Sequence, residues 1–220
     1  MQSDSADQLP PEAELALAWS APPVRSRLRS ALDLDRRLAR IVAHTHEPML
    51  GQMRLAWWRD ALGKPVAERP RGDAVLDALG VHWQGREALL TALVDGWEVL
   101  LTAERVGAAE AEQFAGPRGA VFTALADDRA TPPLAVRLAV AGERWALADA
   151  AAGVSDPAER AVLVEAGLAR GRPAGRLPRI WRGIAVLEAL AWRALERGGR
   201  PLMEGRGAPL AALKAAIFRA

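Results

Sequence analysis

Apolar residues recur along this chain at the three-to-four-residue spacing of helices, and no stretch shows the strict alternation of a half-buried strand. After a polar start, Glu12 to Ser20 reads as a short helix halted by Pro22-Pro23. Val24 to Ala43 runs as one long helix with Leu28, Leu32, Leu38, Ile41 and Val42 broadly on one side. Pro48 sits where a proline loses no hydrogen bond, in the first turn of a helix ending near Gly63. That helix carries Met49, Met53, Ala56 and Trp57 at helical spacing. Asp73 caps a short helix through Leu79. Glu87 to Leu101 has the widest apolar stripe: Leu89, Leu90, Leu93, Val94, Trp97, Leu100 and Leu101.

Farther on, Ala108 to Ala126 reads as a helix pair kinked or broken at Gly116-Pro117. Thr131-Pro132-Pro133 opens a helix to about Ala152, and Pro157 starts another through Arg170. Ile180 to Arg197 is long and precedes Gly198-Gly199. Pro209 begins a last helix with Leu210, Leu213 and Ile217 on one side. The fold class is therefore all-α, a single-domain bundle over residues 12–220, with residues 1–11 as a disordered tail.

Composition agrees. Half of the 220 residues are apolar and a quarter are charged, as in globular domains of ordinary size. The sequence pI of 9.8 overstates the basicity, since the net charge is only +2. No cluster of Lys and Arg forms a phosphate-tracking surface, which argues against a nucleic-acid partner. Cysteine is absent, so disulfides, thiolate metal sites and cysteine nucleophiles are excluded. The start lacks the features of a signal or transit peptide, and no apolar run reaches a membrane span. A cytoplasmic protein is expected, with room for peripheral contact at the inner face of a membrane.

The segment Glu47-Pro48-Met49-Leu50-Gly51-Gln52-Met53-Arg54-Leu55-Ala56-Trp57-Trp58-Arg59-Asp60-Ala61-Leu62 carries a specific core, Arg-Leu-x-Trp-Trp-Arg-Asp. Leu93-Val94-Asp95-Gly96-Trp97-Glu98-Val99-Leu100 follows, and then Glu112-Gln113-Phe114 with Gly119-Ala120-Val121-Phe122. In order and spacing these resemble the signatures of the squalene/phytoene synthase family, from about Glu12 onward. The resemblance implies an isoprenoid-synthase type bundle with a central cavity. Active relatives join two prenyl diphosphates head to head, with two facing aspartate-rich motifs holding the Mg²⁺ ions that neutralise the departing diphosphate.

Those motifs are degenerate here. The first, roughly Arg-x-x-Asp-Asp-x-x-Asp in active relatives, falls on Arg36-Arg37-Leu38-Ala39-Arg40-Ile41-Val42-Ala43. Ala39, Arg40 and Ala43 replace its three aspartates, and Arg40 reverses a charge. The second region offers only Asp149 and Asp156 as weak candidates, with Asp156 better placed to cap the helix at Pro157. Phe114 stands near the place of a tyrosine found in many active relatives. No metal ligand is assigned and no cofactor is expected, Mg²⁺ entering only if the protein is an enzyme. The cavity or ligand-binding candidates are Arg36, Arg54, Trp57, Trp58, Asp95 and Phe114.

Each has a plainer reading. Asp95 pairs with Arg54 or Arg36 more readily than it binds a ligand. Arg54 and Arg59 pair with carboxylates of neighbouring helices, although a guanidinium fork also suits phosphate. One of Trp57 and Trp58 enters the core, and the other lines the cavity or forms a contact surface. Asp73 and Asp77 read as a cap and a solvated charge, Asp127-Asp128 as a turn. His44 and His46 do not converge on a metal. The helix over 210–220, with Lys214 and Arg219, is expected to pack on the bundle rather than lie on a membrane. Three functional readings stand together. The leading one is a catalytically degenerate binding or assembly factor, similar to the family branch that assembles respiratory complex I in mitochondria. The others are a Mg²⁺-dependent prenyltransferase on farnesyl or geranylgeranyl diphosphate, and an isoprenoid- or lipid-binding protein without turnover.

Overall fold

A computed structural model describes residues 8–45, 47–127 and 131–218. Within them the chain forms ten α-helices and no strand. In order they are α1 (Pro11–Trp19), α2 (Pro22–Ala43), α3 (Pro48–Gly63), α4 (Ala74–His82), α5 (Glu87–Thr102), α6 (Ala108–Ala124), α7 (Pro132–Gly153), α8 (Pro157–Ala169), α9 (Arg182–Glu196) and α10 (Gly207–Phe218). None is long and apolar enough to cross a membrane.

Prolines at the first helical positions start α1, α2, α3, α7 and α8, where the missing N–H has no intrahelical role. Asp73 caps α4 by accepting from the backbone N–H groups of Val75 and Leu76, both at 3.0 Å. The chain is already packed at Leu9, which is buried, so the ordered body begins earlier than residue 12.

Helix α7 is the centre. It packs against α6, α8 and α9, while α5 bridges α6 to α2 and α3, and α1 lies on α9. Two crossings need glycine because backbones meet there. A Cβ on Gly142 of α7 would lie 2.7 Å from the Arg118 carbonyl oxygen of α6. One on Gly183 of α9 would lie 2.0 Å from Ser20 Oγ and 2.3 Å from the Ala16 carbonyl oxygen. Gly183→Ala is expected to destabilise the fold by about 1–3 kcal/mol, since α1 has no flexible side chain there to yield. Urea unfolding should show a lower midpoint with an unchanged slope.

Pro117 does not break its helix as expected: α6 runs unbroken from Ala108 to Ala124. The proline gives up one backbone bond, to the Gln113 carbonyl, and the turn is packed against α5 and α7. Gly96 of α5 faces this turn, where a Cβ would meet the Pro117 ring at 3.4 Å and the carbonyls of Gln113 and Phe114 at 3.5 Å, ordinary contact distances. Arg118 Nη1 also donates to the Phe114 carbonyl at 2.9 Å.

Candidate functional site

Where α1, α2 and α7 face one another, the interior turns polar. Leu32, Asp35, Arg36 and Ala39 share one side of α2, at the spacing that stacks residues on a helix face. They meet Trp145 and Asp149 of α7 and Leu9, Pro10 and Ala13 of the first segment. Between them lies a cavity of only about 30 Å³.

Asp35 is the anchor of this region. It is buried, accepts from Trp97 Nε1 of α5 at 2.9 Å, and accepts from Arg118 Nη2 of α6 at 2.5 Å. The Arg118 guanidinium, also buried, stacks 3.8 Å from the Phe114 ring centroid and 4.6 Å from that of Trp97. Phe114 and Trp97 meet edge to face at 4.9 Å. One ion pair and two aromatic rings thus fill the space among α2, α5 and α6.

Burial pushes the Asp35 carboxyl up from its ordinary range, against the pull of Arg118, the Trp97 N–H and Arg36. Burial likewise draws the Arg118 guanidinium down, while Asp35 and Asp149 hold its charge. Asp149 rises to about 7 through burial first, then through the Asp35 and Glu12 carboxylates, with Arg118 and Arg36 opposing. Glu12 rises too, again chiefly through burial. Three carboxyl groups therefore answer two guanidinium groups, and one carboxyl titrates near neutrality, so the cluster is almost self-neutralised.

The structure brings Arg36, Ala39 and Asp149 together and places Phe114 beneath the neighbouring guanidinium. It leaves Arg40 and Ala43 outside the cavity lining. Asp156 does not join Asp149. It caps α8, accepting from the N–H groups of Ala158 at 2.7 Å and Glu159 at 3.2 Å, and these bonds lower its pKa. Among the described residues, no group of three His, Asp or Glu side chains is placed to hold a metal.

The other candidates gather on the outside of α3 and α5. Asp95 is exposed and pairs with Arg59, at 2.8 Å from Nε and 2.6 Å from Nη2, rather than with Arg54 or Arg36. Glu98 binds the same guanidinium and raises its pKa with Asp95. Arg54 is exposed and donates to Thr45 Oγ1, at 3.5 Å. Of the two tryptophans, Trp58 is buried in the core and Trp57 is 45% exposed, edge to face with it at 5.2 Å. Met49, Leu50 and Met53 are exposed beside Trp57 at helical spacing, so the apolar stripe noted in the sequence is the outer face of α3. Its inner face is Gly51, Leu55, Trp58, Ala61 and Leu62. Asp127 forms a turn at φ 51° and pairs with Arg27 and Arg86. Asp128 and His46 lie outside the described residues.

Asp35 and Arg118 were not singled out by sequence reasoning, although a signal existed. Asp35 interrupts the stripe of Leu28, Leu32 and Leu38, where a carboxylate requires a buried partner. A second buried network was also missed. Glu188 of α9 takes both Arg137 and Arg144 of α7, and Arg144 Nη2 also donates to the Gly171 carbonyl at 2.8 Å. The sequence matches no protein-family model, no curated protein and no solved structure.

Proposed function

We propose that this chain has the squalene/phytoene synthase-like bundle without its turnover, and that it acts by binding a protein partner. The observation carrying this reading is the filled centre. A cavity of about 30 Å³ between α2 and α7 has room for a water molecule or two. A prenyl chain needs a pocket of roughly several hundred Å³. The same volume weighs against an isoprenoid held between α2 and α7 without reaction. With Arg36 and Arg118 among the carboxyl groups, the site answers its own charge and leaves little for Mg²⁺.

The binding surface in this reading is the outer face of α3. Met49, Leu50, Met53 and Trp57 form a stripe of the large, adaptable or aromatic side chains that enrich protein interfaces. Arg59, fixed by Asp95 and Glu98, and the exposed Arg54 supply a polar rim. The resemblance to the complex I assembly branch points to a subunit or intermediate of that complex as the partner.

Two measurements test the proposal. Purified protein mixed with labelled farnesyl or geranylgeranyl diphosphate should release no diphosphate with or without Mg²⁺, beside an active family member as control. Mg²⁺-dependent product would overturn the loss of turnover. In the source organism, deletion of the gene should lower assembled complex I on native gels. Wild type should restore it, and a Met53→Glu/Trp57→Glu variant of equal abundance should not. Normal complex I after deletion would remove that partner.

A further inference from the structure

Helix α10 is apolar on both sides, and its two sides are used in an unusual order. It seats Ala208, Ala212, Ala215 and Ala216 against the bundle, where it packs on α9. The larger side chains point the other way: Leu210, Leu213, Ile217 and Phe218 are 46–61% exposed. Leu210, Leu213 and Ile217, three and four residues apart, form one strip along the helix, and Phe218 extends it sideways at the end. A surface helix stabilised by water alone would bury leucine, isoleucine and phenylalanine first and turn alanine outward. The sequence reading, in which Leu210, Leu213 and Ile217 would be the packing side, is reversed.

The charge around the strip indicates what covers it. From Gly205 to Ala220 the sequence holds Arg206, Lys214 and Arg219 and no acidic residue. Arg206 and Lys214 are exposed. The acidic residue just before this stretch, Glu204, is already engaged by Arg197 and Arg200. A second copy is a poor cover. Apposed strips would set like charges together with no carboxylate to answer them. The face of one short helix also offers only a few hundred Å², below the roughly 800 Å² per partner of a stable interface. A lipid surface needs no matching shape. It takes large apolar side chains into its acyl boundary, and its anionic headgroups attract flanking cations.

We propose that α10 seats this protein on an anionic membrane surface, with Leu210, Leu213, Ile217 and Phe218 entering the interface and Arg206 and Lys214 meeting the headgroups. This inference is independent of the loss of turnover and of the α3 surface.

Co-sedimentation of the full chain with vesicles tests it, using phosphatidylcholine alone and with about one-third phosphatidylglycerol. Wild type should bind the anionic vesicles, bind neutral ones at least tenfold more weakly, and lose affinity as salt is raised. Leu213→Glu/Ile217→Glu should abolish binding, and Lys214→Glu should weaken it by about an order of magnitude. Both substitutions fall on exposed positions, so circular dichroism and the melting curve should stay as in wild type. Val81→Glu, on an exposed residue of α4, adds the same charge away from the strip and should bind as wild type does. Absence of anionic-vesicle binding would overturn the proposal, as would equal binding by the Leu213→Glu/Ile217→Glu variant. A concentration-dependent dimer that this variant disrupts, without lipid binding by wild type, would assign the strip to a second copy instead.

Discussion

Asp35→Ala should destabilise the protein by about 3–5 kcal/mol, because it strands the Arg118 guanidinium in the interior. Arg118 is 1% exposed and Asp35 is its ion-pair partner, so water cannot take over the lost bond without opening the contact among α2, α5 and α6. The Trp97 N–H loses its acceptor in the same step. Equilibrium urea unfolding followed by the fluorescence of the eight tryptophans reads the loss as a lower midpoint. The double change Asp35→Leu/Arg118→Met separates the penalty of a stranded charge from the worth of the pair. Replacing both partners with apolar groups should recover most of the stability, because neither charge then needs desolvation. If Asp35→Ala cost less than about 1 kcal/mol, the pair would not be sealed from solvent in the way its geometry requires.

This pair also marks the limit of what the sequence makes legible. Helix positions were readable because they rest on local signals. Prolines at first turns, Asp73 and Asp156 as caps, and Gly198-Gly199 after α9 act within a few residues of themselves. The course of α6 through Pro117 was not, because α5 and α7, which pack along α6, are contributed by distant parts of the chain. Which side of a helix faces inward failed in a more instructive way. On α3 and α10 both sides are apolar, so periodicity alone cannot choose between Met53 and Leu55, or between Leu213 and Ala212. Ion-pair partners are likewise non-local. Asp95 finds Arg59 and not Arg54 because the five-residue step between the two arginines turns the side chain more than a third of the way round α3. At the centre, Asp149 and Arg36 were legible as candidates through the resemblance. Asp35, one residue before the aligned motif, lies within the leucine stripe of α2, and the Arg118 that makes its burial possible is 83 residues away on α6.

The pH dependence of stability should carry the signature of Asp149. Its carboxyl titrates near 7 in the folded chain, through burial and the Asp35 and Glu12 carboxylates, against a usual value of 3.8. Between those two values the folded state retains a proton that the unfolded chain has released. The unfolding free energy must therefore fall as pH rises from about 4 to about 7, and flatten above that, as far as this group is concerned. Each unit of separation is worth about 1.4 kcal/mol, and the partial exposure of Asp149 reduces the total to about 1–3 kcal/mol. Asp149→Asn removes the titrating group while keeping its shape. The variant should match wild type at pH 4 and exceed it by about 1–3 kcal/mol at pH 8, both read from urea midpoints. Asp35 and Glu12 are also raised, so a shallower decline persists in the variant. Arg36 and Arg118 are the cations facing Asp149, and removing its negative charge gives up some attraction to both. That loss is already contained in the shifted value, which is why the net sign favours asparagine. Parallel wild-type and Asp149→Asn curves across the range would show that water reaches Asp149 freely. A variant less stable than wild type at pH 8 would mean that the ionised carboxylate holds the two arginines in place, and that the centre of this bundle is organised by charge rather than relieved of it.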